Sequence, residues 1–165
     1  MAHPVTARFS LTDHHGRAVS EADFAGKAML VYFGFTHCRV VCPRALARLS
    51  GALEHLDGRA VIAPLYITVD PARDTPAVMK AYLDAHHPRF TGLTGSAEQI
   101  DAAKRAFRVF AERRPDAGDP DGYGVPHTAI TYLIGADGLY LGHFFDGGGA
   151  AELAERIAAL LAPKA

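Results

Sequence analysis

The stretch Met29-Leu-Val-Tyr-Phe-Gly-Phe-Thr-His-Cys-Arg-Val-Val-Cys-Pro43 decides the fold. Its first half, residues 29–35, is a short apolar run of β-branched and aromatic side chains. Bounded by Gly26-Lys27 and Thr36-His37, it reads as a buried strand. Pro43 suits the first turn of a helix. Leu46, Leu49, Leu53 and Leu56 then recur at helical spacing, and Asp57-Gly58 ends that helix. Two cysteines, Cys38 and Cys42, fall at the junction between strand and helix.

Working outward, residues 61–69 read as a second buried strand, with Pro64 marking a bend or an edge. Asp74-Thr75-Pro76 opens a helix over 77–86. Residues 90–93 suit a short strand. Ser96 is an N-cap, and Gln99 completes a capping box for a helix running to Phe107. Residues 113–124, rich in Pro, Gly, Asp and Arg, form the one long loop, and such loops are usually functional or mobile. Residues 128–134 and 139–145 flank Ala136-Asp137-Gly138 and predict a hairpin with an Asp-Gly turn. Residues 150–161 close the chain as an amphipathic helix. The β-α-β start demands a right-handed crossover and a parallel pair, and the terminal hairpin makes the sheet mixed. The expected fold class is α/β. It is a thioredoxin-like three-layer fold, with a mixed central sheet flanked by helices and an N-terminal hairpin extension around Phe9 to Val19. One domain over 1–165 is expected, with 1–8 a flexible tail.

Composition narrows the function. The net charge of −1 lacks the Lys/Arg excess that phosphate binding requires, so no nucleic-acid partner is expected. No apolar run approaches the ~20 residues of a membrane span, and residues 1–8 hold no signal core. The chain as given therefore reads as soluble. Its two cysteines close too short a loop to serve as a stabilising framework. Their proximity points to chemistry instead.

A thiol at that junction faces unpaired helix N–H groups and the positive end of the helix dipole, and Arg39 adds a cation. At least one sulfur is therefore expected to be partly thiolate near neutral pH. Three intervening residues, in place of the two of the usual redox dithiol, let the sulfurs splay around a metal. Soft thiolates favour Cu(I), with Zn(II) the competitor. A third ligand is needed. His127, at the mouth of the last hairpin, is the best candidate, although on pattern alone a surface loop histidine fits as well. His37 reads as a supporting histidine, and His14-His15 and His86-His87 as solvated pairs.

At these residues the chain resembles the SCO/SenC family of copper chaperones, used in assembling the copper centre of cytochrome c oxidase. The resemblance runs from about Phe9 to Leu161. It rests on Leu11-Thr-Asp13 with Gly26-Lys27, and on Tyr32-Phe-Gly-Phe-Thr-His-Cys38 with Cys42-Pro43. It continues through Ile67-Thr-Val-Asp-Pro71 with Arg73-Asp-Thr75, and through Phe90-Thr-Gly-Leu-Thr-Gly95. It ends on His127-Thr128, Tyr132-Leu-Ile134 and Asp137-Gly138. The resemblance implies that Cys38, Cys42 and His127 bind one copper ion, Cu(I) favoured and Cu(II) the alternative. It also implies delivery to a partner, an oxidase subunit or another copper chaperone. If the cysteines are instead redox-active, Cys38 and Cys42 are the catalytic pair of a thiol–disulfide oxidoreductase acting on a copper-site apoprotein. A monomer in the bacterial periplasm, anchored to the membrane through an N-terminal segment absent here, is the implied setting. The sequence departs from the family where Arg39-Val40 replace the usual Pro-Asp and where Pro126 replaces the usual Asp. Two acids expected near the site are thus missing, which should favour thiolate and Cu(I).

Overall fold

The strand β3 (Ala28–Gly34) is buried along its whole length, and its side chains alternate between two apolar layers. The computed structural model describes residues 5–39 and 41–163. Met29, Val31 and Phe33 pack with Ile100, Ala103 and Phe107 of α3 (Ala97–Phe107). Leu30 and Tyr32 face the opposite core. There they join Leu46, Leu49 and Leu53 of α1 (Val41–Leu56), Met79 and Leu83 of α2 (Pro76–His86), and Leu153 and Ile157 of α4 (Ala150–Leu161). A strand covered on both faces needs an unbroken apolar run, since its side chains point alternately up and down.

The other strands are β1 (Ser10–Asp13), β2 (Ala18–Ser20), β4 (Ile62–Thr68), β5 (Thr91–Thr94), β6 (Arg114–Pro115), β7 (Tyr123–Gly124), β8 (Ile130–Ile134) and β9 (Tyr140–Phe145). Seven of them form one sheet in the order β2-β1-β5-β4-β3-β8-β9. Strands β3, β4 and β5 run parallel to their neighbours among themselves, and the remaining pairs are antiparallel. This mixed sheet, flanked by helices on both faces and extended by the β1–β2 hairpin, is a thioredoxin-like fold.

The predicted caps are present. Ser96 Oγ accepts from Gln99 N–H at 3.1 Å while Gln99 Oε1 accepts from Ser96 N–H at 2.9 Å. Three expectations are corrected. Strand β4 is central, not an edge: Pro64 pairs in register with Leu30, but β5 begins only opposite Leu65. On that flank no partner needs the N–H that proline lacks. The long loop folds back on itself as the small β6–β7 hairpin. The tail expected over 1–8 is held from Val5 on, because Thr6 N–H donates to Ala106 O at 3.0 Å and Ala7 is buried. Residues 1–4 of that expected tail lie outside the described residues.

Register positions the site. Strand β8 pairs antiparallel with β3, Met29 opposite Ile134 and Tyr32 opposite Thr131. The segment entering β8 therefore lies at the sheet end where β3 runs into α1.

Candidate metal centre

Cys38 sits in the turn after β3, its N–H donating to Phe35 O at 3.1 Å. Cys42 lies in the first turn of α1 and is fully buried, and its N–H points to Cys38 Sγ at 3.4 Å. A sulfur thus meets one of the backbone donors that a helix start leaves without a partner. His127 comes from the segment entering β8. That segment is laced to residues 110–112: Thr128 N–H donates to Phe110 O at 2.8 Å and Glu112 N–H to Pro126 O at 3.1 Å. His127 Nδ1 is 3.0 Å from Val125 O. A carbonyl can only accept, so Nδ1 is the donor here, and in the neutral ring Nε2 keeps its lone pair. That lone-pair nitrogen lies 4.0 Å from Cys42 Sγ. The ring is held edge-on by Phe35, with centroids 5.9 Å apart, and by Tyr32 at 6.4 Å.

The three expected donors are therefore brought to one end of the sheet, in an open arrangement. Among the described residues no group of three or more His, Cys, Asp and Glu side chains is closed around a metal position. The 4.0 Å between Cys42 Sγ and His127 Nε2 is about the separation of two donors that each bind one ion at roughly 2.0–2.3 Å, so this pair is spaced to share a metal. Two sulfurs and one imidazole suit a soft, low-coordinate metal. A cleft of 430 Å³, lined by Phe35, Cys38, Arg39, Asp116, Pro126 and His127 among others, opens onto half-buried Cys38.

The electrostatics differ from the sequence-based expectation. Arg39 does not serve the sulfurs. Its guanidinium turns to the β6–β7 hairpin, where it binds the Asp116 carboxylate at 2.9 Å and the Gly118 carbonyl. The Cys42 thiol is pushed up from its ordinary value, not down. The neighbouring Cys38 sulfur contributes most, and burial adds to it. The helix N-terminus is thus outweighed at Cys42 by the adjacent Cys38 sulfur and an apolar setting. The hydroxyls of Tyr32 and Tyr66 are buried beside this sulfur and interact with it. Both phenols are raised, by burial first and by Cys42 next. Two phenol donors next to Sγ would favour a metal-held thiolate, which accepts hydrogen bonds more strongly than a thiol.

Acids are not missing from the site; they arrive from another segment. Asp116 and Asp119 line the cleft, and His37 Nε2 is 3.9 Å from Asp121 Oδ2. Gly34 explains how closely Cys42 can approach the strand. A Cβ there would lie 2.7 Å from Cys42 Sγ, 2.7 Å from Tyr66 Cε2 and 2.8 Å from Tyr66 Oη.

Two positioning residues carried no assigned role in the sequence. Buried Asp74 accepts from Thr36 N–H at 3.0 Å, Thr36 Oγ1 at 2.5 Å and Thr68 Oγ1 at 2.7 Å. It pins the start of the cysteine loop to β4. Its carboxyl is raised by burial, against the hydrogen bonds from Thr36 and Thr68. Arg73 binds Asp70 at 2.6 Å, Asp119 at 2.8 Å, Asp121 at 3.3 Å and Tyr123 O at 3.2 Å, and stacks on the Tyr123 ring. Burial opposes its charge, yet these bonds hold its pKa above the ordinary value. Only the run Asp70-Pro71 with Arg73-Asp74 signalled this cluster. His14 is also more than solvated, since its Nδ1 accepts from Gly92 N–H at 2.9 Å.

A family model described as SCO1/SenC matches residues 1–162. The chain belongs to the SCO1/SenC family. It is 46% identical over 139 residues to the bovine mitochondrial SCO2 homologue, which covers 82% of this chain and 52% of the relative. It is 39% identical over 158 residues to the human mitochondrial SCO1 homologue, covering 94% and 52% respectively. The chain thus spans about half the length of these curated relatives. Among solved structures, Arabidopsis thaliana ScoI with copper bound superposes with a TM-score of 0.89 at 30% identity, covering 94% of this chain and 97% of that one. Bradyrhizobium japonicum ScoI with copper bound gives 0.84 at 36% identity, covering 95% and 99%.

Proposed function

We propose that this SCO1/SenC domain is a copper metallochaperone. It takes one copper ion, Cu(I) in preference to Cu(II), on Cys38, Cys42 and His127 and passes it to a partner's copper site, the copper centre of cytochrome c oxidase. The observation that carries the reading is the convergence of an N–H-directed imidazole on a buried thiol, Nε2 to Sγ 4.0 Å, beside a second sulfur that the cleft exposes. Three soft donors leave a coordination position open, so an incoming partner thiol can bind before the old ligands leave. The copper-bound Arabidopsis and Bradyrhizobium structures support the choice of metal. A copper-accepting protein, an oxidase subunit or another chaperone, is the proposed partner. A bacterial periplasmic location, tethered to the membrane, is the proposed setting; a 41% identical SCO2-like protein of Rickettsia felis supports a bacterial one. Among the described residues no helix is long and apolar enough to cross a membrane.

An anaerobic Cu(I) titration of the reduced protein against a competing chelator tests this. One tight equivalent is expected, lost in Cys42→Ala; wild-type affinity in that variant would sink the three-ligand site. A second reading, thiol–disulfide exchange on a copper-site apoprotein, is favoured by one asymmetry. Cys38 is half-buried while Cys42 is closed off, so a single sulfur meets a substrate. Turnover of a disulfide-bonded peptide, without copper binding, would select it.

A further inference from the structure

We propose that Arg39 is a positioning residue that clasps the cysteine loop to the hairpin leading into His127, and that this clasp slows copper release. The inference rests on the metal reading above for its effect on copper, but not for the clasp itself. Arg39 follows Cys38 directly. Its guanidinium crosses the cleft to Asp116 Oδ2 at 2.9 Å and to the Gly118 carbonyl. The acceptor is built for it. The other Asp116 oxygen takes the Gly118 N–H at 2.9 Å, and the Asp116 carbonyl takes the Asp119 N–H at 3.1 Å. The turn is thereby shaped before Arg39 arrives. Gly118 is needed as well, because a Cβ there would lie 2.7 Å from the guanidinium.

From Asp116 the link is short. Pro115 pairs with Tyr123 and Arg114 with Gly124, and three residues later comes His127. Pull on Asp116 is thus transmitted through β6–β7 to the imidazole. Two of the hairpin's anchors differ in strength. Arg73 grips Asp119, Asp121 and the Tyr123 carbonyl from a side chain only 9% exposed. Arg39 and Asp116 are 56% and 36% exposed. Desolvated, multiply bonded pairs hold, whereas exposed pairs open readily and are screened by salt. Arg73 therefore fixes the hairpin to the body of the domain. Arg39 supplies the reversible contact between the segments carrying the two kinds of ligand.

Two measurements on Arg39→Ala, Arg39→Lys, Asp116→Ala and the double alanine variant test the clasp. In the metal-free protein, hydrogen exchange of the amides in 116–124 should quicken in Arg39→Ala while that of α3 does not. In the loaded protein, Cu(I) transfer to a chelator should quicken about two- to fivefold at low salt, the range an exposed pair supports. Asp116→Ala, which also loses the bond from Gly118 N–H, should quicken release at least as much, the double variant should add nothing to Asp116→Ala, and Arg39→Lys should keep part of the effect. The wild-type advantage should vanish near 1 M salt. Unchanged exchange and release in Arg39→Ala, or fully additive single effects, would overturn the clasp. If wild type binds no copper, the metal reading fails, and the exchange result alone decides the clasp.

Discussion

Replacing Gly34 with alanine adds one methyl group at a crowded point beside Cys42 and Tyr66. The new Cβ would lie 2.7 Å from Cys42 Sγ and from Tyr66 Cε2. Ordinary carbon contacts sit near 3.5–4.0 Å, so each neighbour must retreat by about 1 Å. Neither is free to do so. Tyr66 is fully buried, and Cys42 is built into the first turn of α1, which packs through Leu46 and Leu49. Overpacking of this kind costs about 1–3 kcal/mol. For a domain of this length that lowers the melting temperature by about 2–12 °C. The same displacement moves Sγ relative to His127 Nε2, now 4.0 Å away. Gly34→Ala should therefore lose Cu(I) affinity as well as stability. Thermal melts of the metal-free protein and chelator competition on the reduced protein read the two effects separately. A melt within 1 °C of wild type, with unchanged affinity, would refute the crowding argument.

Other outcomes follow from the same geometry. Arg73→Ala strips the partner from two nearly inaccessible carboxylates, Asp70 and Asp119, and should cost about 3–5 kcal/mol, read by urea denaturation; a loss under 1 kcal/mol would contradict the hub role. Asp74 has a raised carboxyl pKa in the folded state, so the fold binds that proton more tightly than the unfolded chain. Its contribution to stability is present below the unfolded carboxylate pKa and is lost as pH rises through the raised value. Denaturation across about pH 4–7, the range above the ordinary carboxylate value, should show a flatter profile in Asp74→Asn than in wild type; parallel profiles would refute this. His127→Ala should weaken Cu(I) binding while leaving the β8–β9 hairpin intact by circular dichroism, and wild-type affinity would exclude the imidazole as a ligand.

Local periodicity carried most of the architecture. The run over 29–35, the leucine spacing to Leu56, the Ser96–Gln99 box and the Asp-Gly hairpin turn each depend on residues a few positions apart. Their outcome is settled by side-chain alternation, capping and turn chemistry, which neighbours in the chain control. The pair Cys38 and Cys42 at a strand–helix junction was legible for the same reason.

What the sequence did not decide involves residues far apart in the chain. His127 meets Cys42 across 85 positions because β8 pairs antiparallel with β3, a register no local pattern encodes. Arg39 reads as a cation beside a thiol until Asp116, 77 residues on, claims it. A helix start was expected to make at least one sulfur acidic, but at Cys42 the adjacent Cys38 sulfur and burial push the thiol up. Thr36 depends on Asp74 across 38 positions. Sequence by itself thus determined the elements and the two sulfurs. Tertiary structure decided which histidine meets the sulfurs, where the Arg39 charge goes and which way the Cys42 thiol shifts, because those follow from burial and distance.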